Sequence, residues 1–230
     1  MDLNQLSKEI LICSKHGKFN SDFHIELSLK STHDLINGLI SDNQIKSFWL
    51  NIYNAYIIKE LTESGRQEKG FYSKKIVSFK DLELSFDDIE HGILRRSRFK
   101  WSLGYLPKTH IPDWEYSLRI STLDARIHFA LNCGANSCPP ISVYEPISVD
   151  QTLDINSKDY LMDSSQISKD YRNVKIPRLC LWYLADFGGF SGIKALYKKY
   201  KLIPVEITPK ISFLAYDWSI NIDNFTIDKT

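Results

Sequence analysis

Apolar positions first recur in short helical bursts: over residues 1–40 they form amphipathic segments broken at Lys15-Gly17 and Ser31-Thr32. The longest periodic stretch follows, from about Asp42 to Ser64, with Asp42 or Asn43 available as a cap and Gly65 as a stop. Ile45, Phe48, Trp49, Ile52, Tyr53, Tyr56, Ile57 and Leu61 cover so much of its circumference that this helix is expected inside the core. At about 100° per residue, Asn51 and Asn54 fall together opposite the centre of the apolar face, aiming two amides at something polar.

The pattern then changes character. Residues 65–85 are charged, with a strand-like piece at Lys75–Phe79, and Ser85 with Asp88 resembles a capping box ahead of a short helix carrying Ile89, His91, Ile93, Leu94 and Arg95. His91 and Arg95, four apart, share a face of that helix. Residues 98–112 read as an irregular connection, and Asp124–Asn132 suits a buried strand or a helix, because a short apolar run has no decisive period. Cys133-Gly-Ala-Asn-Ser-Cys138-Pro-Pro140 must turn tightly, since Gly134 frees the backbone and the two prolines bar a ladder or helix interior. Pro177 can open a helix over Leu179–Phe187 that stops at Gly188-Gly189, Ser191 opens another through Tyr200, and alternation within Val205–Asn221 suggests terminal strands. The expectation is an α+β fold: one helix-dominated domain with a small central sheet, distantly of the cysteine-hydrolase kind.

Composition narrows the partners. A chain of 230 residues with 43% hydrophobic and 13% aromatic content buries a substantial core, roughly 70% of the surface its unfolded form exposes. With 29 Lys and Arg against 28 Asp and Glu, no excess field draws it to nucleic acid or an anionic membrane. Residues 1–14 lack the basic start and unbroken apolar stretch of a secretory leader, and the longest apolar runs fall far short of the roughly 20 residues that cross a bilayer. Free thiols at Cys13, Cys133, Cys138 and Cys180, and a cytoplasmic location, are therefore expected.

Chemistry concentrates near the 133–140 turn, where backbone N–H groups can activate a thiol or cradle an oxyanion, and the bland alternative is a pair of cysteines packed as small hydrophobes. No histidine follows His128, which excludes the papain order of nucleophile before histidine but leaves a pair with His91 or His128 coming first. Zinc on His91, His128, Cys133 and Cys138 fits less well, because the spacing is looser than in structural knuckles, and no cofactor is expected. Four residues between the cysteines depart from the two of a thioredoxin-like pair. Arg95, Arg96, Arg98 and Lys100 form a basic run, more often a solvated face than an anion site. Asp186 and Asp217 read as buried acids, with Arg126 or Arg119 as partners. Phosphate-loop, dinucleotide, Gly-x-Ser-x-Gly and His-Glu-x-x-His signatures are missing.

Four blocks, Phe48–Ala55, His91–Arg95, Arg126–Pro140 and Tyr216–Asn221, together resemble the domain-of-unknown-function family numbered 547. The resemblance spans roughly residues 40–221. It implies a core domain over 41–221, an N-terminal helical extension (1–40) packed on it and a tail (222–230), and supplies no mechanism. Its motif positions fall on Asn51, Asn54, His91, Arg95, Arg126, His128, Cys133 and Cys138, with Ala125 where members commonly carry proline.

The leading expectation is a thiol-dependent hydrolase or acyl transferase. Cys138, which ends the turn, or Cys133 attacks; His128 or His91 moves the proton; Asn51 or Asn54 orients or stabilises; Arg95, Arg126, Asn132 and Asn136 bind the ligand. Its rival is a non-catalytic binding or scaffolding domain in which the same His, Cys, Asn and Arg residues form a satisfied buried network. Either reading takes a small molecule or peptide, with a protein partner as a further expectation.

Overall fold

The first forty residues fold as three helices in the computed structural model, which describes residues 1–65, 70–221 and 224. They are α1 (Leu3–Lys15), α2 (Asp22–Ser28) and α3 (Thr32–Gly38), broken close to where the sequence suggests. α1 packs along α4 (Asp42–Glu63), and Asn4 ties the two by donating to the Gln44 carbonyl (2.9 Å) and the Ser47 hydroxyl (2.8 Å).

Ser41, rather than Asp42 or Asn43, caps α4: its hydroxyl accepts from the Gln44 amide while the Gln44 side chain accepts from the Ser41 N–H. Asp42 instead accepts from Ser121 and Thr122, clamping a distant loop to the helix start. Apolar residues surround α4, so Phe48, Trp49, Leu50 and Ile52 are all 0% exposed, each worth about 1.5–3 kcal/mol of burial.

β1 (Val77–Ser78) and β2 (Glu83–Leu84) form a short antiparallel pair. The chain continues through a π-helical segment, Asp88–Leu94, into α5 (Asp113–Leu118). The ambiguous 124–132 run is neither strand nor α-helix: Asp124 caps a tight 3-10 turn at Ala125–Phe129. Helix α6 (Val149–Asp163), on which the sequence reading was silent, leads into the second sheet.

That sheet holds β3 (Gln166–Ile167), β4 (Asn173–Ile176) and β5 (Lys210–Phe213), with β3 antiparallel and β5 parallel to β4. A parallel neighbour needs a long crossover, supplied by α7 (Leu179–Trp182) and α8 (Gly189–Lys199). α7 is shorter than expected; looser turns continue to Gly188 and Gly189, both at positive φ.

Two hydrophobic clusters result: one around α4 and one joining α8 to the three-stranded sheet. The helix-dominated α+β fold stands, but α4 holds the centre and the sheet belongs to the second cluster. The 222–230 tail, Asn224 apart, and residues 66–69 of the charged stretch lie outside the described residues. Among the described residues no helix is long and apolar enough to cross a membrane.

Candidate functional site

Ser85 and Asp88 form the expected box, with the Ser85 N–H donating to the Asp88 carboxylate (2.7 Å) and the Asp88 N–H to the Ser85 hydroxyl (3.1 Å). The helix it opens is wound wide: Arg95 N–H donates to the Glu90 carbonyl and Ser97 N–H to the Gly92 carbonyl, both at 2.8 Å. The wider turn lines up Asp87, His91 and Arg95, spaced by four. Arg95 Nη1 lies 2.9 Å from His91 Nδ1, and because a guanidinium only donates, Nδ1 is the acceptor of that contact. His91 Nε2 faces Asp87 Oδ1 at 3.5 Å, while Lys100 pairs with Asp87 Oδ2 at 2.6 Å. Burial raises the Asp87 carboxyl pKa, and His91 and Lys100 outweigh it to hold the pKa below its ordinary value.

Behind this helix sits a closed ion cluster. Asp186 Oδ2 accepts from Arg95 Nε (2.6 Å) and His128 Nε2 (2.9 Å), and the Asp186 and Arg95 side chains are both 0% exposed. The His128 ring stacks on Tyr183 at 3.7 Å, and the Arg95 guanidinium lies 4.7 Å from the same ring. Burial disfavours charge on His128 and lowers its pKa despite the carboxylate beside it, so neutral His128 donates to Asp186. Burial alone raises the Asp186 pKa, yet the hydrogen bonds from His128 and Arg95 and the Arg95 charge bring it down to about 2. Gly104 seals the cluster at φ +87°, where an added Cβ would lie 2.2 Å from Asp186 Oδ1. The arginine partners of Asp186 are thus Arg95 and, at 3.7 Å, Arg98 rather than Arg126 or Arg119, and Asp217 is exposed rather than buried.

The 133–140 turn runs in front of that cluster. Cys133 and Cys138 are not free thiols but a disulfide: Gly134, at φ +76°, folds the chain back and brings their Cα atoms to 6.2 Å. Tyr216 Oη lies 3.2 Å from Cys133 Sγ and 3.1 Å from Cys138 Sγ, and the Cys133 N–H donates to Cys138 Sγ at 3.0 Å. Cys138 is 4% exposed and Cys133 half-buried, so Cys133 is the more accessible of the two. Cys13 and Cys180 are free, and burial pushes the Cys180 thiol pKa far up.

A cavity of about 290 Å³ opens between the disulfide and the π-helical segment, where the two hydrophobic clusters meet. Its walls include Tyr53, Tyr72, Trp182, Tyr183, Tyr216 and Trp218, with Asp87, Glu90, His91, Lys100 and His128 as polar lining. Trp182, Tyr216 and Trp218 form a mutual aromatic cluster with centroids 4.6 to 5.5 Å apart. Glu90 accepts from Tyr183 Oη (2.5 Å) and Tyr53 Oη (3.4 Å), and burial first, then the Glu90 charge, keeps both phenols protonated by raising their pKa values well above 10.

The family profile described as protein of unknown function, DUF547, matches residues 38–161, more than half of the chain. The chain belongs to the DUF547 family. No curated protein and no solved structure matches it. The matched span holds α4, the π-helical segment and the disulfide, while Leu179, Trp182, Tyr183, Tyr216 and Trp218 complete the DUF547 cavity from beyond it. The Tyr216–Asn221 block that resembles the family also lies outside that span.

Of the candidate residues, the structure gathers His91, His128, Cys133 and Cys138 at the cavity. Asn51 and Asn54 are elsewhere, each 0% exposed and engaged on both sides of its amide. Asn51 donates to the Tyr144 carbonyl (2.8 Å) and accepts from the Tyr144 N–H (3.0 Å); Asn54 donates to the Ala130 carbonyl (3.0 Å) and accepts from the Asn132 N–H (3.0 Å). The polar targets of the two amides are therefore backbone groups together with the Ser7 hydroxyl, and the amides pin the approach to the cysteine turn. Asn132 braces that turn from within, donating to the Pro139 carbonyl (2.8 Å) and accepting from the Gly134 N–H (2.6 Å).

Arg95 belongs to the ion cluster. Arg126 is outside the cavity, held by Asp124 and Asp150 at 2.7 Å each in a network that includes Lys46, and Asn136 bonds the exposed Asp217 carboxylate at 2.9 Å. Among the described residues no three His, Cys, Asp or Glu side chains converge as they would around a metal ion, and two ligands of the zinc set are bonded to each other.

Sequence reasoning missed Glu90, Trp182, Tyr183 and Tyr216 as parts of one site. Tyr216 and Trp218 stood in a recognisable block; Trp182 and Tyr183 carry no local signal.

Proposed function

We propose that this DUF547 domain is a binding module whose cavity takes a small organic cation, an amine or quaternary ammonium group, free or carried by a peptide. The supporting observation is the pairing of an aromatic wall with Glu90, a carboxylate whose hydrogen bonds come from two phenols and which, among the described residues, has no Lys or Arg partner. Among the carboxylates and amines of the lining, Asp87 and Glu90 outweigh Lys100. Aromatic faces add about 0.5–2 kcal/mol each for a desolvated cation. The test is isothermal titration with choline and its neutral isostere 3,3-dimethylbutan-1-ol. Choline is expected to bind at least about tenfold more tightly, and Glu90→Gln to erase that preference. Equal affinities in the wild type would refute the reading.

A second reading, thiol-dependent hydrolysis or acyl transfer, draws on both sulfurs and both histidines lining one cavity. It requires the disulfide to open first, since only a thiolate attacks an acyl group. Reduced protein treated with a p-nitrophenyl ester should then carry acyl groups on Cys133 or Cys138 by mass mapping; acylation spread evenly over all four cysteines would argue against it.

A further inference from the structure

The cavity wall carries a disulfide to which neither reading gives a reaction of its own. We propose that Cys133–Cys138 is an exchangeable disulfide, and that the class of reactant it takes is a thiol. Three observations meet at the two sulfurs. Both line an open cavity instead of lying sealed in hydrocarbon. Cys133 is half-buried whereas Cys138 is 4% exposed, so an incoming sulfur reaches Cys133 first. Cys138 Sγ, the sulfur that would leave, already accepts from the Cys133 N–H at 3.0 Å and lies 3.1 Å from the Tyr216 hydroxyl, two donors placed where negative charge develops.

The chemistry balances without another oxidant or reductant. A thiolate attacks Cys133 Sγ, forming a mixed disulfide; the Cys133–Cys138 bond breaks and its electron pair stays on Cys138 as thiolate, stabilised by those donors. A second thiolate then attacks the incoming sulfur of the mixed disulfide, releasing a small disulfide and leaving Cys133 as thiolate. The two protons shed by the reactant thiols end on the protein dithiol. Two thiols are oxidised to one disulfide, and the protein disulfide is reduced. Tyr216 touches both reacting sulfurs and is the catalytic residue of this exchange.

The test uses the full chain in glutathione buffers of graded redox poise, with acid quenching, alkylation and mass mapping. The expected result is reversible two-electron interconversion of the native protein at Cys133 and Cys138. Glutathione disulfide should then load Cys133 in Cys138→Ser at least about tenfold faster than Cys138 in Cys133→Ser. Tyr216→Phe should slow opening by about tenfold, with circular dichroism confirming its fold. A parallel arm with a cysteine-containing peptide separates the two thiol sources: preference for the peptide assigns a peptidyl thiol, preference for glutathione a small one. A disulfide that opens only after denaturant is added, or cysteines that stay reduced in every buffer, would overturn the proposal. None of these readouts depends on choline binding, so the proposals fail separately.

Discussion

Two groups of reactive side chains lie back to back across Tyr183. Arg95, Asp186 and His128 form a buried cluster joined through Asp186 Oδ2, whereas Cys133, Cys138 and Tyr216 form a wall that opens onto the cavity. The cluster resembles a catalytic constellation by residue type, with an acid, a histidine and an arginine in contact. Its Asp186 and Arg95 side chains are 0% exposed, however, and such a pair holds structure instead of meeting ligand. The same residue types change role with access: the cluster fixes the π-helical segment, and the wall is left to do chemistry.

Removing one partner of the closed cluster should have the largest effect. Asp186→Ala strands the Arg95 guanidinium without its counter-ion and should cost about 3–5 kcal/mol in urea melts. A loss under about 1 kcal/mol would mean that water already enters the cluster. Opening the disulfide should cost less, about 2 kcal/mol, because it closes only a short loop. Gly104→Ala should also destabilise by about 2 kcal/mol, since the residue sits at φ +87° and its new methyl would meet Asp186 Oδ1. If Gly104→Ala were neutral, the 104 loop would not seal the cluster.

Acid sharpens the same contrast. Asp186 has its folded pKa lowered from the ordinary 3.8 to about 2, so its contribution is complete above about pH 4 and disappears as pH falls toward 2, roughly 2 kcal/mol in all. His128, also lowered, acts with the same sign from its ordinary 6.5 downward, because the unfolded chain takes up the proton first. Asp186→Asn should flatten the acid limb of the stability curve, while Cys133→Ser should leave its shape intact. The smallest effect is expected at Tyr183→Phe, which removes one hydrogen bond to Glu90 and should cost about 1 kcal/mol while keeping the stacked ring.

How much of this was legible follows from the range of the interactions. Local ones could be read: the apolar circumference of α4, the Ser85 and Asp88 box, and the shared face of His91 and Arg95. That Asp186 is a buried acid needing a cation was legible too. That the cation is Arg95, 91 residues away, was not, because no periodicity links them. Asn51 and Asn54 were correctly seen to face something polar, but the sequence could not distinguish a ligand from the backbone of Tyr144 and Ala130. The disulfide escaped for a related reason: its five-residue separation is compatible with free thiols until Gly134 turns the chain back.

The central claim is that the acidic aromatic cavity, and not the ion cluster behind it, meets the ligand. A crystal structure of the protein grown with choline tests it most directly. The trimethylammonium group is expected among Trp182, Tyr216 and Trp218 beside Glu90, with the Asp186 bonds to Arg95 and His128 unchanged. Choline found on another surface, or a ligand that separates Asp186 from Arg95, would contradict it.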